Sequence, residues 1–353
     1  MRPTPNHDDR AERSVGVTTE TVAADDLERV ARLIERHGIG LIVNVAGPYS
    51  ETQMPVLRAA VRAGVHYLDV VDGARETREA LKVDGEAKAA GSVCVLGAGM
   101  FPGLTNILAM RSASRLDIPS SVAVAITISV QAAVPDSRAI ALMKETGDVG
   151  AGWIAMMEAA SRPSQIHQAG AAFSERPGTT NDLTTPSGRT VALALHDHSE
   201  PMTLPQHLPT ITDAVTYRGF VPEDAESLFR AAAMSVTAGE HTAPDAVMTF
   251  FERVNERRDD LAPARDTPVA EVWAEVEGMK DGHPVRVTSW ANGLIPTSTV
   301  LAASVNGIAE GRLDTAGVRT AETLSSDTFL SLLADEADIP VSALVGHRIT
   351  ELT

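Results

Sequence analysis

The sequence contains little of three kinds of feature, and each shortage argues against a class of structure or site. Its 353 residues include one cysteine, Cys94, so no disulfide can form within the chain and a cytoplasmic location is expected. Aromatic residues make up only 4% of the chain, which argues against a site built from stacked aromatic rings. The apolar runs are short, and none approaches the roughly 18 residues that a membrane-spanning helix needs.

Basic residues are also scarce. The chain has 30 Lys and Arg against 47 Asp and Glu, which gives a net charge of −17. Nucleic acids bind proteins mainly through Lys and Arg, so we expect neither a nucleic acid nor an anionic membrane as a partner. A small-molecule substrate is compatible with this charge, because its site needs only a local patch. The length predicts about two domains.

Three short apolar runs organise the first third of the chain. They are Leu41–Ala46, Val65–Val70 and Val93–Ala98, and none of them alternates polar with apolar residues. Such runs are typical of strands buried on both faces, as in a parallel sheet covered by helices.

Helices are predicted between and after these strands. Gln53–Ala63 places its apolar residues on one face, with Pro55 in the first turn, and Ala74–Ala90 is a polar helix. A glycine follows each of these segments, as is common where a helix ends. Leu104–Arg111 is an apolar helix after the third strand. The order of strands and helices predicts a right-handed parallel sheet.

Two of the strands end in segments rich in glycine and proline. The first is Asn44–Tyr49 (NVAGPY), and the second is Gly97–Gly103 (GAGMFPG). Open α/β sheets bind ligands at the carboxyl ends of their strands, and glycine lets a ligand approach the backbone. Alternatively, these residues only mark the turns between strand and helix.

Taken together, the motifs N-x-A-G-P-Y, A-G-V-H-Y-L-D and G-A-G-x-x-P-G-L-T-N resemble those of the saccharopine dehydrogenase-like reductases. The resemblance is strong before Ala113 and looser after it. It implies a Rossmann domain that binds NADP or NAD, and a second domain that holds the substrate and forms a homodimer. The implied activity is oxidation or reduction at the C–N bond of a small amino-acid-like substrate.

The resemblance also assigns roles to the residues at the strand ends. Cofactor contacts are expected from Asn44, Ala46, Gly47, Pro48, Tyr49, Gly97, Ala98, Gly99, Pro102 and Gly103. His66, Tyr67 and Asp69 are the candidate catalytic residues. Asp69 could instead cap the next helix, and Asn44 could bond neighbouring backbone. Gly103 is expected to face the ligand, so valine at that position should impair binding more than stability.

The sequence departs from the family pattern in one respect. A Rossmann domain of this kind begins with a strand, a G-x-G-x-x-G turn and a helix, but no such turn occurs in this sequence before Leu41. Residues 1–14 are predicted to be a disordered leader, Val15–Ala24 a strand and Asp25–His37 a helix. We therefore expect an incomplete Rossmann-like sheet over residues 15–116 and doubtful binding of NADP or NAD. The alternative is a non-redox enzyme or binding protein that has lost the dinucleotide site.

Residues 117–295 are predicted to form an α+β domain on a mostly antiparallel sheet. Asp281-Gly282 marks a hairpin, Gln165–Phe173 is predicted as one strand, and Arg176–Gly188 as a loop. Residues 296–353, which begin with a long helix over Thr297–Arg312, are expected to return to the first domain.

The segment His196-Asp197-His198-Ser199-Glu200 raises the possibility of a metal site. Residues two apart share one face of a strand, so His196 and His198 could bind one ion, with Glu200 or His207 as a third ligand. No H-E-x-x-H motif or cysteine pair supports this interpretation. We therefore predict a solvated loop and no metal.

Overall fold

Two β-sheets form the framework of the computed structural model, which describes residues 16–352. The first sheet is parallel, with strand order β1–β2–β3–β12. Its strands are β1 (Leu41–Asn44), β2 (His66–Asp69), β3 (Val93–Leu96) and β12 (Gly317–Thr320). The predicted parallel sheet is confirmed, and its first three strands end one or two residues earlier than expected.

Helices cover this sheet, and two of them differ from the prediction. Those before the second sheet are α1 (Leu27–His37), α2 (Tyr49–Ala63), α3 (Ala74–Leu81), α4 (Asp84–Ala90) and α5 (Leu104–Ala113). Helix α2 begins at Tyr49, so Pro55 lies in its interior rather than in its first turn. The helix predicted over residues 74–90 is interrupted at Lys82 and Val83, which separate α3 from α4.

Residues 16–24 contain no strand, so the strand predicted over Val15–Ala24 is wrong for its described part. Val22 packs instead against Val30 and Ile34 of α1. Val15 and the leader predicted over residues 1–14 lie outside the described residues. Within the part of the chain that the structure describes, β1 is consequently an edge strand, and its Val43 is 37% exposed.

The second sheet has nine strands and is mostly antiparallel, as predicted; β4 and β9 form its parallel pair. Its order is β13–β11–β10–β4–β9–β5–β6, and β8 joins β7 to β9. The strands are β4 (Ile118–Ser129), β5 (Ser164–Gln168), β6 (Ala171–Glu175), β7 (Thr180–Thr184), β8 (Thr190–Leu195), β9 (Asp213–Val221), β10 (Ala270–Lys280), β11 (His283–Ala291) and β13 (Val345–Glu351).

Turn residues explain where this sheet differs from the prediction. Ala169 and Gly170 both adopt positive φ, and they reverse the chain between β5 and β6 where one strand was expected. The loop predicted over Arg176–Gly188 contains β7. The hairpin predicted at Asp281-Gly282 joins β10 to β11.

Helices on and beside the second sheet complete the chain. They are α6 (Val130–Ala133), α7 (Ser137–Thr146), α8 (Ala151–Ser161), α9 (Glu200–His207), α10 (Glu223–Thr237), α11 (Ala243–Glu256), α12 (Thr297–Ala309), α13 (Ser326–Ala337) and α14 (Val341–Leu344). The C-terminal segment returns to the first sheet through β12, as expected, but its last strand, β13, pairs with β11 of the second sheet. No helix in residues 16–352 is long and apolar enough to cross a membrane.

One continuous core joins the two sheets. Ile107 of α5 is packed in the same buried cluster as Val95 of the first sheet and as Val124 and Val272 of the second. Because α5 follows the glycine-rich end of β3, this packing holds the carboxyl edge of the first sheet against the second domain.

Candidate active site

A cavity of about 320 Å³ lies between the two domains. It is bounded by the carboxyl end of β2, the loop after β3, the starts of α2, α8 and α12, and the second sheet. The residues used below line it: Tyr49, Val70, Asp72, Met100, Phe101, Ile126, Ile128, Trp153, Met156, His196, His198, Arg218 and Thr297. Open α/β sheets bind ligands at this edge, and the volume is at the lower end of the range of about 300–1,000 Å³ for ligand pockets.

His198 is held in a fixed orientation by a carboxylate. Its Nδ1 lies 2.6 Å from Oε2 of Glu200, and Oε1 of Glu200 accepts a 2.9 Å hydrogen bond from the hydroxyl of Thr105. The ring stacks on Phe101 with 4.1 Å between centroids. All atoms of the His198 and Glu200 side chains are buried, and His198 Nε2 has no hydrogen-bond partner within the described residues.

His196 lies beside this pair, with 5.2 Å between the two imidazole centroids. Burial lowers the pKa of His196 well below its usual value. Burial also acts to lower the pKa of His198, but Glu200, Asp72 and Asp197 together outweigh it, and the pKa is raised. Neighbouring groups whose pKa values are pushed apart in this way are typical of acid–base sites.

The prediction of a solvated loop at His196–Glu200 is therefore wrong. His196 is 2% exposed and His198 is not exposed at all. The polar run is buried because its strongest charges pair with each other inside the protein. Residues 16–352 contain no group of three His, Cys, Asp or Glu side chains arranged to hold a metal ion.

Arg218, on β9, contributes a second buried ion pair to the wall. Its two terminal nitrogens donate to the Glu226 carboxylate at 3.0 and 3.2 Å, and Glu226 also accepts from the backbone N–H of Phe220 at 2.9 Å. The guanidinium lies over the ring of Phe229, 4.2 Å from its centroid. Glu226 thus neutralises the charge of Arg218. The Nε of Arg218 has no hydrogen-bond partner among the described residues.

Three of the lining side chains thus carry a buried nitrogen that has no hydrogen-bond partner within residues 16–352. These nitrogens are His196 Nδ1, His198 Nε2 and Arg218 Nε. Folded proteins satisfy the large majority of their buried polar atoms, so three such atoms around one cavity indicate a site prepared for a polar ligand.

Tyr49 and Asp72 complete the polar wall. Burial, followed by the charge of Asp72, raises the pKa of Tyr49 to about 12, so its phenol keeps its proton at neutral pH. Burial raises the pKa of Asp72 as well, although the nearby His198 acts in the opposite direction. Tyr49 was predicted as a cofactor contact after β1, whereas Asp72 was not predicted as a site residue, because it lies beyond the predicted end of β2.

The predicted catalytic residues lie outside the cavity wall. Asp69 is completely buried and accepts hydrogen bonds from Gln53 Nε2, the Tyr67 hydroxyl and the backbone N–H groups of Val71 and Gly97, at 2.8–3.2 Å. Burial raises the pKa of Asp69 to about 6 despite these four donors. His66 is at the start of β2, away from the carboxyl edge.

Asn44 and His66 also form bonds within the protein. Asn44 donates to the Tyr67 hydroxyl at 3.2 Å and accepts from the backbone of Ala46. His66 Nδ1 accepts a 3.1 Å hydrogen bond from the backbone of Val93. Asn44 thus links β1 to the Tyr67 side chain of β2, and its bond from Ala46 is the contact with neighbouring backbone that was the alternative considered for it from the sequence.

The loop after β3 forms hydrogen bonds with itself. The Leu104 N–H donates to the Gly99 carbonyl, and the Gly103 N–H donates to Asn106 Oδ1, each at 2.9 Å. Gly103 has a φ of +115°, and a Cβ at this position would overlap Gly99 O and lie 2.6 Å from Gly97 O. Ala98 and Pro102 are buried with these glycines.

The tip of this loop, Met100 and Phe101, reaches the cavity, although neither residue was predicted as a site residue. Gly103 does not line this cavity, and its conformation serves the turn itself, so the expectation that it faces a ligand stays a prediction.

The starts of α2 and α5 differ in what they offer the pyrophosphate of a dinucleotide. That group binds free N–H groups at a glycine-rich helix start. Before α2, Gly47 lies so close to Ala151 of α8 that a Cβ would overlap it, while Ala46 and Pro48 are exposed. Before α5, the N–H groups of Gly103 and Leu104 are bonded within the loop.

Comparisons with known proteins agree with the predicted family. A family model described as the saccharopine dehydrogenase NADP binding domain matches residues 2–95, which confirms the resemblance. No curated protein matches the chain.

Among solved structures, apo saccharopine dehydrogenase (L-Glu forming) from Saccharomyces cerevisiae matches with a TM-score of 0.60 and 11% identity, over 95% of this chain and 90% of that one. An amine dehydrogenase from Mycobacterium smegmatis gives a TM-score of 0.40 and 10% identity, over 84% of this chain and 79% of that one. The first match confirms the predicted fold of a Rossmann-like sheet with a second domain. The family match supports a dehydrogenase-type oxidoreductase.

Proposed function

We propose that the protein acts at the C–N bond of a small amino-acid-like substrate held in the interdomain cavity. The match of residues 2–95 to the saccharopine dehydrogenase NADP binding domain supports this proposal. NAD(P)-linked oxidation or reduction is the reaction class that the family supports. The observation that carries the proposal is the cluster of three unpartnered buried nitrogens beside the His198–Glu200 pair.

His198 is the residue that moves the proton in this proposal. Glu200 stabilises its protonated form, so the imidazolium can donate from Nε2 to the substrate nitrogen and regain the proton in the reverse direction. Thr105 holds the other oxygen of Glu200 and so fixes the plane of the carboxylate. His196 stays neutral because burial lowers its pKa, and it offers a hydrogen bond without adding a second positive charge.

A second candidate is a non-redox enzyme or binding protein on the same scaffold. It is favoured by the bonding of the Gly97–Gly103 loop with itself. This bonding occupies the N–H groups of Gly103 and Leu104, which are therefore not available to a pyrophosphate. The two candidates share the cavity and the proton-transfer pair.

Titration of the full chain with NADPH, monitored by the fluorescence of the cofactor, distinguishes the two candidates. Saturation in the low-micromolar range, together with NADPH oxidation when 2-oxo acids and ammonia are supplied, supports the oxidoreductase. No saturation up to about 1 mM, which corresponds to about −4 kcal/mol, supports the non-redox candidate.

His198→Gln tests the proton-transfer role within either candidate. We expect it to lower the turnover rate by about 10²–10⁴-fold, the usual contribution of a general acid or base. The matched control is His283→Gln, at an exposed position on β11. Equal turnover in the two variants would contradict the role of His198.

A further inference from the structure

The ionisable side chains of the cavity wall do not balance in charge. Glu226 neutralises Arg218, and Glu200 neutralises the protonated form of His198. Asp72 forms no ion pair and no side-chain hydrogen bond to another residue within residues 16–352, although it lines the cavity. The wall in its ionised form therefore carries one uncompensated negative charge.

The other charged groups near Asp72 are mostly acidic. Its charge interactions are with His198, Glu76 and Glu200. Glu76 and Glu158 line a small adjoining recess together with Asp72, and Arg162 is the basic residue there. Arg218 is already bound on both terminal nitrogens, and Arg162, which makes no ion pair within residues 16–352, is outnumbered in the recess by Asp72, Glu76 and Glu158, so the described surroundings favour a cation over a carboxylate.

The rest of the wall is apolar and aromatic. It consists of Val70, Met100, Phe101, Ile126, Ile128, Trp153 and Met156, with Tyr49 beside Asp72. Aliphatic and aromatic side chains favour an apolar ligand body, and aromatic faces also attract ammonium groups.

We propose that Asp72 binds the ammonium group of a cationic amine whose apolar part occupies the cavity. This inference rests on the proposed function and replaces its amino-acid-like substrate by an apolar amine. The ammonium nitrogen then lies between Asp72 and the neutral form of His198, whose Nε2 accepts its proton in the direction of amine oxidation. Asp72 is then the residue that selects amines over alcohols and carboxylic acids of the same shape.

The test uses three probes of one length, hexylamine, 1-hexanol and hexanoate, titrated into the full chain by calorimetry at pH 7.5. We expect hexylamine to bind at least about tenfold more tightly than 1-hexanol, as one charge-assisted hydrogen bond provides, and hexanoate to bind most weakly. Asp72→Asn should remove the preference for the amine while its melting temperature stays near that of the wild type. The matched control is Asp260→Asn, which makes the same change of charge at an exposed turn.

Two results would overturn the inference. One is equal affinity for hexylamine and 1-hexanol in the wild type, and the other is an amine preference that persists in Asp72→Asn. The turnover of His198→Gln and the ionisation of His198 decide the proposed function separately. Failure of the amine preference with those results intact would leave the acid–base site in place with a different substrate class.

Discussion

Nδ1 of His198 lies 2.6 Å from Oε2 of Glu200, and neither side chain is exposed to solvent. The two residues are only two positions apart in the sequence. His198 lies in the loop after β8, and Glu200 is the first residue of α9. A buried carboxylate on one imidazole nitrogen fixes the ring and stabilises its positive charge. The other nitrogen is left for the cavity, which is why the proposed proton transfer is assigned to His198.

Gly103→Val should destabilise the protein by more than about 3 kcal/mol, because it forces a branched side chain into a positive-φ position and against two carbonyl oxygens. The free energy of unfolding in urea measures this. Gly85→Ala is the control, since a Cβ there meets no atom within 4 Å and alanine favours helix α4. A stable Gly103→Val variant that has lost only ligand binding would contradict this account.

Asp69→Asn should change how stability depends on pH. The folded-state pKa of Asp69 is about 6, above its usual 3.8, so the fold binds the proton more tightly than the unfolded chain does. Its stabilising contribution is therefore complete below about pH 3.8 and is lost as the pH rises through about 6.

Between pH 4 and 7, the difference in unfolding free energy between wild type and Asp69→Asn should change by an amount on the order of 2–3 kcal/mol. Urea unfolding at several pH values measures it. Parallel pH profiles for the two proteins would show that Asp69 titrates normally in the fold.

Glu226→Gln should destabilise the protein by about 3–5 kcal/mol, because it leaves the Arg218 guanidinium buried without its counter-charge. The double variant Arg218→Met with Glu226→Leu should lose less stability, since no buried charge is left unpaired. Chemical unfolding of the single and double variants measures the difference. A double variant less stable than Glu226→Gln would contradict this explanation.

The protein should form a homodimer, although no described contact tests this prediction. Among residues 16–352, no strand pairs with the outer side of β1, whose neighbourhood exposes 37% of Val43 and 56% of Val45. Exposed strand edges of this kind favour association. Light scattering should give twice the mass of one chain. A monomer at high concentration would contradict the prediction.

The sequence predicted the parallel sheet well because strands buried under helices, such as Val93–Leu96, are continuous apolar runs. It did not predict the start of α2 at Tyr49, since Pro48 provides no side-chain cap there. It also did not predict β7, whose residues are mostly exposed and therefore look like a loop.

The site was harder to predict, for a different reason. Glycines such as Gly103 were interpreted as room for a ligand, but here they allow the loop to close, and its tip at Phe101 reaches the cavity. His198 and Glu200 were interpreted as solvated because both are polar. Only the fold shows that each satisfies the other in a buried position, and no local sequence signal distinguishes the two cases.

The ionisation of His198 tests the central claim most directly. A ¹⁵N NMR titration of the imidazole, assigned with His198→Gln, measures its pKa in the wild type and in Glu200→Gln. The account predicts a wild-type pKa above the usual 6.5, because nearby carboxylates outweigh burial, and a fall below that value in Glu200→Gln, where burial acts with less opposition. A wild-type pKa below 6.5, or one unchanged by Glu200→Gln, would contradict it.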